Sequence, residues 1–285
     1  MPAMALDLKR MTRTEAFQLL EAWLIEEGPV EEMNGYLRHS VGRYLECARE
    51  LVDLPRGGRV LEIGANPYWF TLLMKEARPD LEWIGTNGGD EPDPSHPKHV
   101  HQIVNRHTGQ RLSFEYYINN VETEFLPFAD GSFDAVVFCE VFEHLYQDPV
   151  ASLEHIHAAL KSNGLLLLTT PNPGRAYNVQ RVLFRQSIYD PFSGYGTYGR
   201  HNREYSAKEL RDLFENCGFT IEGQRTIETS NEWRFRKVLS KLGFGEHHLI
   251  LGRKQGIPCA RYRPHWLYRS YPKEFYERAG RSSGL

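Results

Sequence analysis

The chain has 285 residues, 41% of them apolar and 25% charged, which excludes an intrinsically disordered protein and suits one large domain, or one domain with extensions. No apolar run approaches the roughly 20 residues of a membrane-spanning helix, and MPAMALDLKRMTRTEAF carries charges where a secretory signal would be apolar, so a cytoplasmic protein is expected. The net charge of −3 hides an asymmetry: residues 225–285 hold 13 Lys and Arg against 5 Asp and Glu, a balance of +8, leaving −11 on the first 224.

Residues 1–55 alternate at helical spacing and are expected to form a helical cap. Ala16, Leu19, Leu20, Trp23 and Leu24 make one apolar face; Tyr36, Val41, Tyr44, Leu45 and Leu51 mark a second helix. His39 and Arg43 read as exposed helix charges, with a second reading as partners of a bound carboxylate. After the break at 53–58 a strand-then-helix rhythm begins. Strands are expected over 59–63, 81–85, 132–139, 164–170, 219–222 and 248–252, and helices through 71–76, from Val141, over 150–160 and over 206–217. Ser206, Glu209 and Gly218 supply the cap signals of the last of these helices. Continuous apolar strands between helices predict an α/β fold: a doubly wound, mostly parallel sheet covered on both faces, spanning residues 56–255.

Residues 90–111 hold His96, His99, His101 and His107 among Gly and Pro; lacking Cys or carboxylates at tight ligand spacing, they read as a polar surface insertion. Residues 256–285 form a basic, aromatic tail with Tyr262, Trp266, Tyr268, Tyr271, Phe275 and Tyr276. It reads either as a segment packed on the main domain or as a peripheral contact for an anionic surface. Cys47, Cys139, Cys217 and Cys259 lie far apart without a CxxC pair, as free thiols of a reducing compartment do.

In doubly wound folds ligands sit at the carboxyl ends of the strands, where strand order reverses. The first main-domain strand delivers RVLEIGANPYWFTLL there, with Gly64 able to turn tightly and Glu62 beside it. This resembles the first motif of class I S-adenosylmethionine-dependent methyltransferases, with Asn66 and Tyr68 in place of the second and third glycines. FLPFADGSFDAVVFCEVFEHLYQDP (125–149), LKSNGLLLLTTPN and HNREYSAKELRDLFENCGF resemble later segments of the same superfamily, in the right order over about residues 58–252. The resemblance implies a Rossmann-like, seven-stranded sheet with an N-terminal helical lid, and S-adenosylmethionine as cofactor. The implied cofactor residues are Glu62, Gly64, Ala65, Asn66, Asn87, Asn120, Val121 and Glu140. Within that set Glu62 meets the ammonium group, Asn87 (with Asp90 as fallback) the ribose, and Asn120, Val121 or Glu122 the adenine.

The string EVFEH places Glu140, Glu143 and His144 after a strand, where residues three and four apart on a helix share a face. Three readings stay open: polar residues capping a helix start, His144 as general base, or a divalent metal site. The last rests on a Glu-x-x-Glu-His string like that of magnesium-dependent O-methyltransferases, with His201 of GRHNREY completing a set of Glu140, Glu143, His144 and His201. Magnesium is the metal implied, and the same four residues are the catalytic candidates.

The ANPY loop, the NVE segment and GRHNREY together resemble bacterial methyltransferases of polysaccharide or glycolipid assembly. O-methylation of a sugar hydroxyl is therefore expected, with Tyr195, Tyr198 and Tyr205 as stacking candidates. The alternatives are a methyltransferase of a small aromatic or polyketide-like metabolite, and a binding module that has lost catalysis. Nucleic acid is not an expected partner, because the first 224 residues are acidic.

Overall fold

The computed structural model describes residues 6–25, 30–88, 98–194, 196–229, 238–259 and 262–275. Asp90, His96, Tyr195 and Tyr276, named above, lie outside the described residues.

Thr12 opens α1 (Arg13–Leu20) with a reciprocal capping box to Glu15. The short strand β1 (Trp23–Ile25) follows, then the long helix α2 (Val30–Leu51). The main domain runs through β2 (Arg59–Ile63), α3 (Trp69–Ala77), β3 (Glu82–Asn87), β4 (Lys98–Asn105), β5 (Arg111–Ile118) and β6 (Phe133–Cys139). It continues through α4 (Pro149–Ala159), β7 (Leu160–Pro171), α5 (Ala176–Leu183), α6 (Ala207–Asn216), β8 (Phe219–Ile227) and β9 (His247–Lys254).

The nine strands among the described residues join one sheet in the order β1-β4-β5-β3-β2-β6-β7-β9-β8. β5, β3, β2, β6 and β7 run parallel, while β9 is antiparallel to both β7 and β8. The six strands expected by position are β2, β3, β6, β7, β8 and β9. The expected count of seven is nonetheless corrected to nine, because β1 and β4 add an antiparallel edge beyond β5. Trp23 and Leu24, assigned to a helix face from spacing, belong to β1. Part of the stretch read as a surface insertion is strand β4; only Ile103 of its eight residues is buried, so no apolar alternation announced it.

Apolar cores cover the two faces. One gathers α1, α2 and α3 around Leu37, Leu45, Trp69 and Leu73; the other gathers α4 and α6 around Phe138, Leu153, Leu213 and Phe214. The described part of the tail closes on the second core. Arg263, almost fully buried, pairs with Asp148 at 2.8 Å and Glu154 at 3.0 Å, and the Tyr268 hydroxyl donates to Asp148 at 2.5 Å. The Trp266 indole donates to Asp212, which also receives the Tyr262 hydroxyl. No helix among the described residues is long and apolar enough to cross a membrane, and all four cysteines are free thiols.

Candidate active site

Strand order reverses at β2, which has β3 on one side and β6 on the other, so a crevice opens at their carboxyl ends. There Gly64 takes φ +77°, and a Cβ on it would stand 2.5 Å from Val141 Cγ2. Only glycine satisfies both the backbone and the neighbour. The amides of Gly64 and Ala65 donate to the Thr86 carbonyl at 2.8 and 3.2 Å, and Tyr68 N–H donates to Ala65 O at 2.6 Å.

The two missing glycines are replaced by a locked network. Asn66 N–H donates to Asn87 Oδ1 at 2.9 Å, and Asn87 Nδ2 donates to the Tyr68 hydroxyl at 2.9 Å. That leaves the hydroxyl proton for His101 Nδ1, 2.7 Å away, so His101 Nε2 carries the hydrogen facing the Tyr116 hydroxyl at 3.2 Å. Tyr68 is left-handed at φ +70° and is held there by stacking on Phe114 at 5.0 Å. Asn87, expected at a ribose, thus spends its carboxamide on the loop.

Gly64, Ala65, Asn66 and Glu62 line one small cavity, roofed by Tyr36, Arg43, Tyr44 and Cys47 of α2. Glu62 Oε2 accepts from the Thr71 hydroxyl at 2.5 Å and the Trp83 indole at 2.7 Å. Burial raises its pKa to about 7 against the pull of those two hydrogen bonds. Asn120 and Val121 do not line this cavity. The Asn120 amide donates to the Tyr198 hydroxyl at 2.7 Å, and Val121 is buried with its carbonyl 2.9 Å from His155 Nδ1. Glu122 accepts the backbone N–H groups of Tyr146, Gln147 and Asp148, which fixes the entry to α4. Tyr205 is wholly buried against Phe142 and so cannot stack on a ligand; Tyr198 instead packs on Tyr146.

A larger cleft of about 460 Å³ adjoins the cavity through Tyr36 and Arg43 and reaches Glu140, His201, Glu246 and His247. Glu140 stands at φ +54°, a left-handed backbone that carries strain for a side-chain-bearing residue. Its N–H donates to Thr169 O and its Oε1 accepts the Thr169 hydroxyl, both at 2.9 Å. Oε2 lies 3.4 Å from Arg43 Nη1 and 3.0 Å from His247 Nδ1. Burial opposes the charge on both partners of the Arg43–Glu140 pair, but each holds the other ionised: Glu140 falls well below the usual carboxylate range, and Arg43 rises above its ordinary value. Arg43 is therefore not the exposed helix charge its position suggested. Its Nε is buried without a partner.

EVFEH does not open an α-helix. Phe142–His144 is a single 3-10 turn, and Asp148 caps α4 further on. Glu143 is fully buried, with Oε2 accepting the Thr170 hydroxyl at 3.0 Å and Oε1 unpartnered. Burial first, and then the Glu140 charge, raise its pKa well above the ordinary value. His144 Nδ1 lies 2.9 Å from the Arg200 carbonyl, which leaves Nε2 unprotonated and 4.0 Å from Glu143 Oε1. The His201 ring meets that of His144 edge-on at 5.0 Å. Ligand atoms of Glu143, His144 and His201 lie within 4.8 Å of one another. The fourth expected member, Glu140, is absent from this group: it lies ahead of the 3-10 turn and faces Arg43 and His247. His247 was missed by the sequence reading, although the HH pair at the start of β9 carried a signal: alternation puts His248 inside the sheet and His247 in the cleft.

The methyltransferase-domain family model matches residues 31–224, from α2 to within β8. The chain belongs to this methyltransferase family. Among relatives of this methyltransferase, a Mycolicibacterium smegmatis protein named "Probable S-adenosylmethionine-dependent methyltransferase" is 33% identical over 97 residues, 34% of this chain and 32% of that protein. A Mycobacterium sp. (strain JLS) protein named "Uncharacterized methyltransferase" is 28% identical over 171 residues, 59% of this chain and 62% of that one. The match thus spans about a third of the first of these proteins. In fold, this methyltransferase superposes on one chain of a Haloferax volcanii complex between the Trm112 methyltransferase activator and a methyltransferase. The TM-score is 0.51 at 18% identity, over 78% of this chain and 95% of that one. The family model and the names of these relatives agree on methyl transfer.

Proposed function

We propose that the chain moves the methyl group of S-adenosylmethionine to a hydroxyl of a sugar (glycan, oligosaccharide or glycolipid) held in the cleft at the carboxyl ends of β6 and β7. The observation that carries this reading is the chain Arg43–Glu140–His247, which puts an imidazole 3.0 Å from a carboxylate paired with a buried guanidinium, at the wall of an open cleft. The residues fit the cofactor: Gly64 leaves a cradle that any Cβ would fill, and Arg43 Nε is an unpartnered buried donor suited to a carboxylate. When bound, S-adenosylmethionine supplies a methyl already activated on sulfonium. The protein must then position the acceptor and remove its proton.

His247 takes that proton, with the Glu140 carboxylate, held ionised by Arg43, 3.0 Å from its Nδ1. His39, Ser40, Arg175 and Glu246 offer the donors and acceptors that a polyhydroxylated ring requires, with Tyr36 and Tyr177 at its sides. A metal also has a fitting site. Glu143 Oε1 is an orphaned buried oxygen, and the Glu143, His144 and His201 set would hold a divalent ion that lowers the pKa of a bound hydroxyl. One carboxylate with two imidazoles suits manganese or zinc better than magnesium, which prefers an all-oxygen shell.

The test is calorimetric titration with S-adenosylmethionine, with and without Mg²⁺ or Mn²⁺, followed by transfer of labelled methyl to methyl glycosides and to catechol. Binding with a dissociation constant on the order of micromolar is expected, with label on the glycosides. Label on catechol alone would favour the small aromatic acceptor, and no cofactor binding under any condition would leave a binding module. Chelator is expected to abolish transfer if the metal assists; full activity in chelator, lost on His247→Asn, would assign the proton to the imidazole alone.

A further inference from the structure

Helix α5 is packed the wrong way round for a soluble surface. Its one buried residue is Asn178, whose amide donates to Pro173 O at 3.1 Å and Glu204 Oε2 at 3.4 Å. Its apolar residues point outward: Leu183 is 76% exposed and Phe184, just past the helix, 69%. Phe192 in the following loop is 94% exposed and Leu242 67%. They belong to α5, the loop after it and the π-turn Ser240–Phe244. The Asn172 amide donates to the carbonyls of Gly243 and Gly245, both at 2.9 Å, which sets the π-turn Ser240–Phe244 beside the start of α5. Tyr177 of α5 lines the cleft together with Glu246, just beyond that turn. Exposed apolar groups thus lie on the elements that bring Tyr177 and Glu246 to the cleft, and exposed apolar surface of this kind marks a contact surface.

The charges on the rim select the partner. Segments 176–194 and 238–245 carry Arg181, Arg185 and Lys241 against Asp190 alone. Asp190 accepts the His201 backbone N–H at 3.0 Å and keeps its charge, so the balance of these segments is +2. Arg181 is held by the Ser187 carbonyl and the Tyr177 hydroxyl, neither of which neutralises it. Apolar side chains that enter an acyl boundary, bordered by cations at headgroup height, are what an anionic bilayer surface binds.

We propose that α5, the loop after it and the Ser240–Phe244 turn dock on an anionic lipid bilayer and set the cleft mouth against it, so that the acceptor is a membrane-anchored hydroxyl compound. The choice of acceptor rests on the function proposed above; the docking does not. The experiment is cosedimentation of the full chain with vesicles of phosphatidylcholine and phosphatidylglycerol (3:1) and with pure phosphatidylcholine. S-adenosylhomocysteine binding is measured in parallel by calorimetry, and sedimentation velocity is run without lipid.

Wild type is expected to pellet with the anionic vesicles, more weakly with the neutral ones, and less as salt rises. Leu183→Glu/Phe184→Glu, at exposed positions, is expected to lose at least about tenfold in partitioning with cofactor-product affinity unchanged. Wild type left in the supernatant with both vesicles would overturn the proposal, and so would a variant that pellets like wild type. Self-association without lipid, abolished by the same substitutions, would also overturn it by making a second copy the occupant. Failure of S-adenosylhomocysteine to bind while docking persists would overturn the methyltransferase reading and leave the docking standing.

Discussion

Glu62 is a carboxyl whose burial outweighs the two hydrogen bonds it accepts. Its folded pKa of about 7 stands above the ordinary 4.5, so the folded state holds this proton more tightly than the unfolded chain does. The stabilisation is complete below about pH 4.5 and is lost as pH rises through about 7, a change of about 3 kcal/mol. Glu62→Gln is expected to be more stable than wild type at pH 8 and to converge with it at pH 4.5, read by urea unfolding at both values. Gly64→Ala is expected to lose at least about 2 kcal/mol and the cofactor affinity, because left-handed backbone and the 2.5 Å approach to Val141 both oppose a Cβ. Adding Val141→Ala removes the clash and leaves about 1 kcal/mol of backbone cost. His247→Asn is expected to lower methyl transfer roughly 10²- to 10⁴-fold with cofactor affinity unchanged, as removal of a general base does. Arg43 shows why such residues were misread. A charged residue on a helix reads as exposed from sequence alone, and only the opposing Glu140 explains a buried guanidinium.

Among the elements, legibility followed the strength of local signals. The α6 helix was read correctly from Ser206, Glu209 and Gly218: the Ser206 side chain accepts the Glu209 N–H, the Glu209 side chain accepts the Ser206 N–H, and Gly218 stands at φ +84°. Ser206→Ala is expected to cost about 1 kcal/mol in thermal or urea unfolding. EVFEH was read as a helix start because its pattern allows one. The outcome was decided by Glu143, whose burial under Thr170 and whose carbonyl, taken by the amides of Asn202 and Arg203 at 2.8 and 3.1 Å, favours a single tight turn. That difference separates Glu140 from the other three metal candidates. The ANPY loop is the converse: two glycines are missing, yet the turn survives because Asn87 of β3 and His101 of β4 brace its Asn66 and Tyr68 from strands distant in sequence.

For the molecule as a whole, the sheet grows at one edge and the tail seals the opposite core. The tail is anchored by Arg263, buried between Asp148 and Glu154, so Arg263→Ala strands two carboxylates in the interior. A loss of roughly 3–5 kcal/mol is expected from denaturant midpoints. The buried guanidinium, together with Tyr268, accounts for part of the tail's basic and aromatic character as packing.

The α/β class, the main strands, the capped helix and the family resemblance were in the sequence because each depends on neighbours within about ten residues: apolar period, cap residues, a glycine turn. The pairing of Glu140 with Arg43 and His247, the gathering of Glu143 and His144 with His201, and the outward face of α5 were decided only by tertiary structure. They join positions separated by tens to hundreds of residues, and a side chain's charge state and exposure depend on what the fold sets against it.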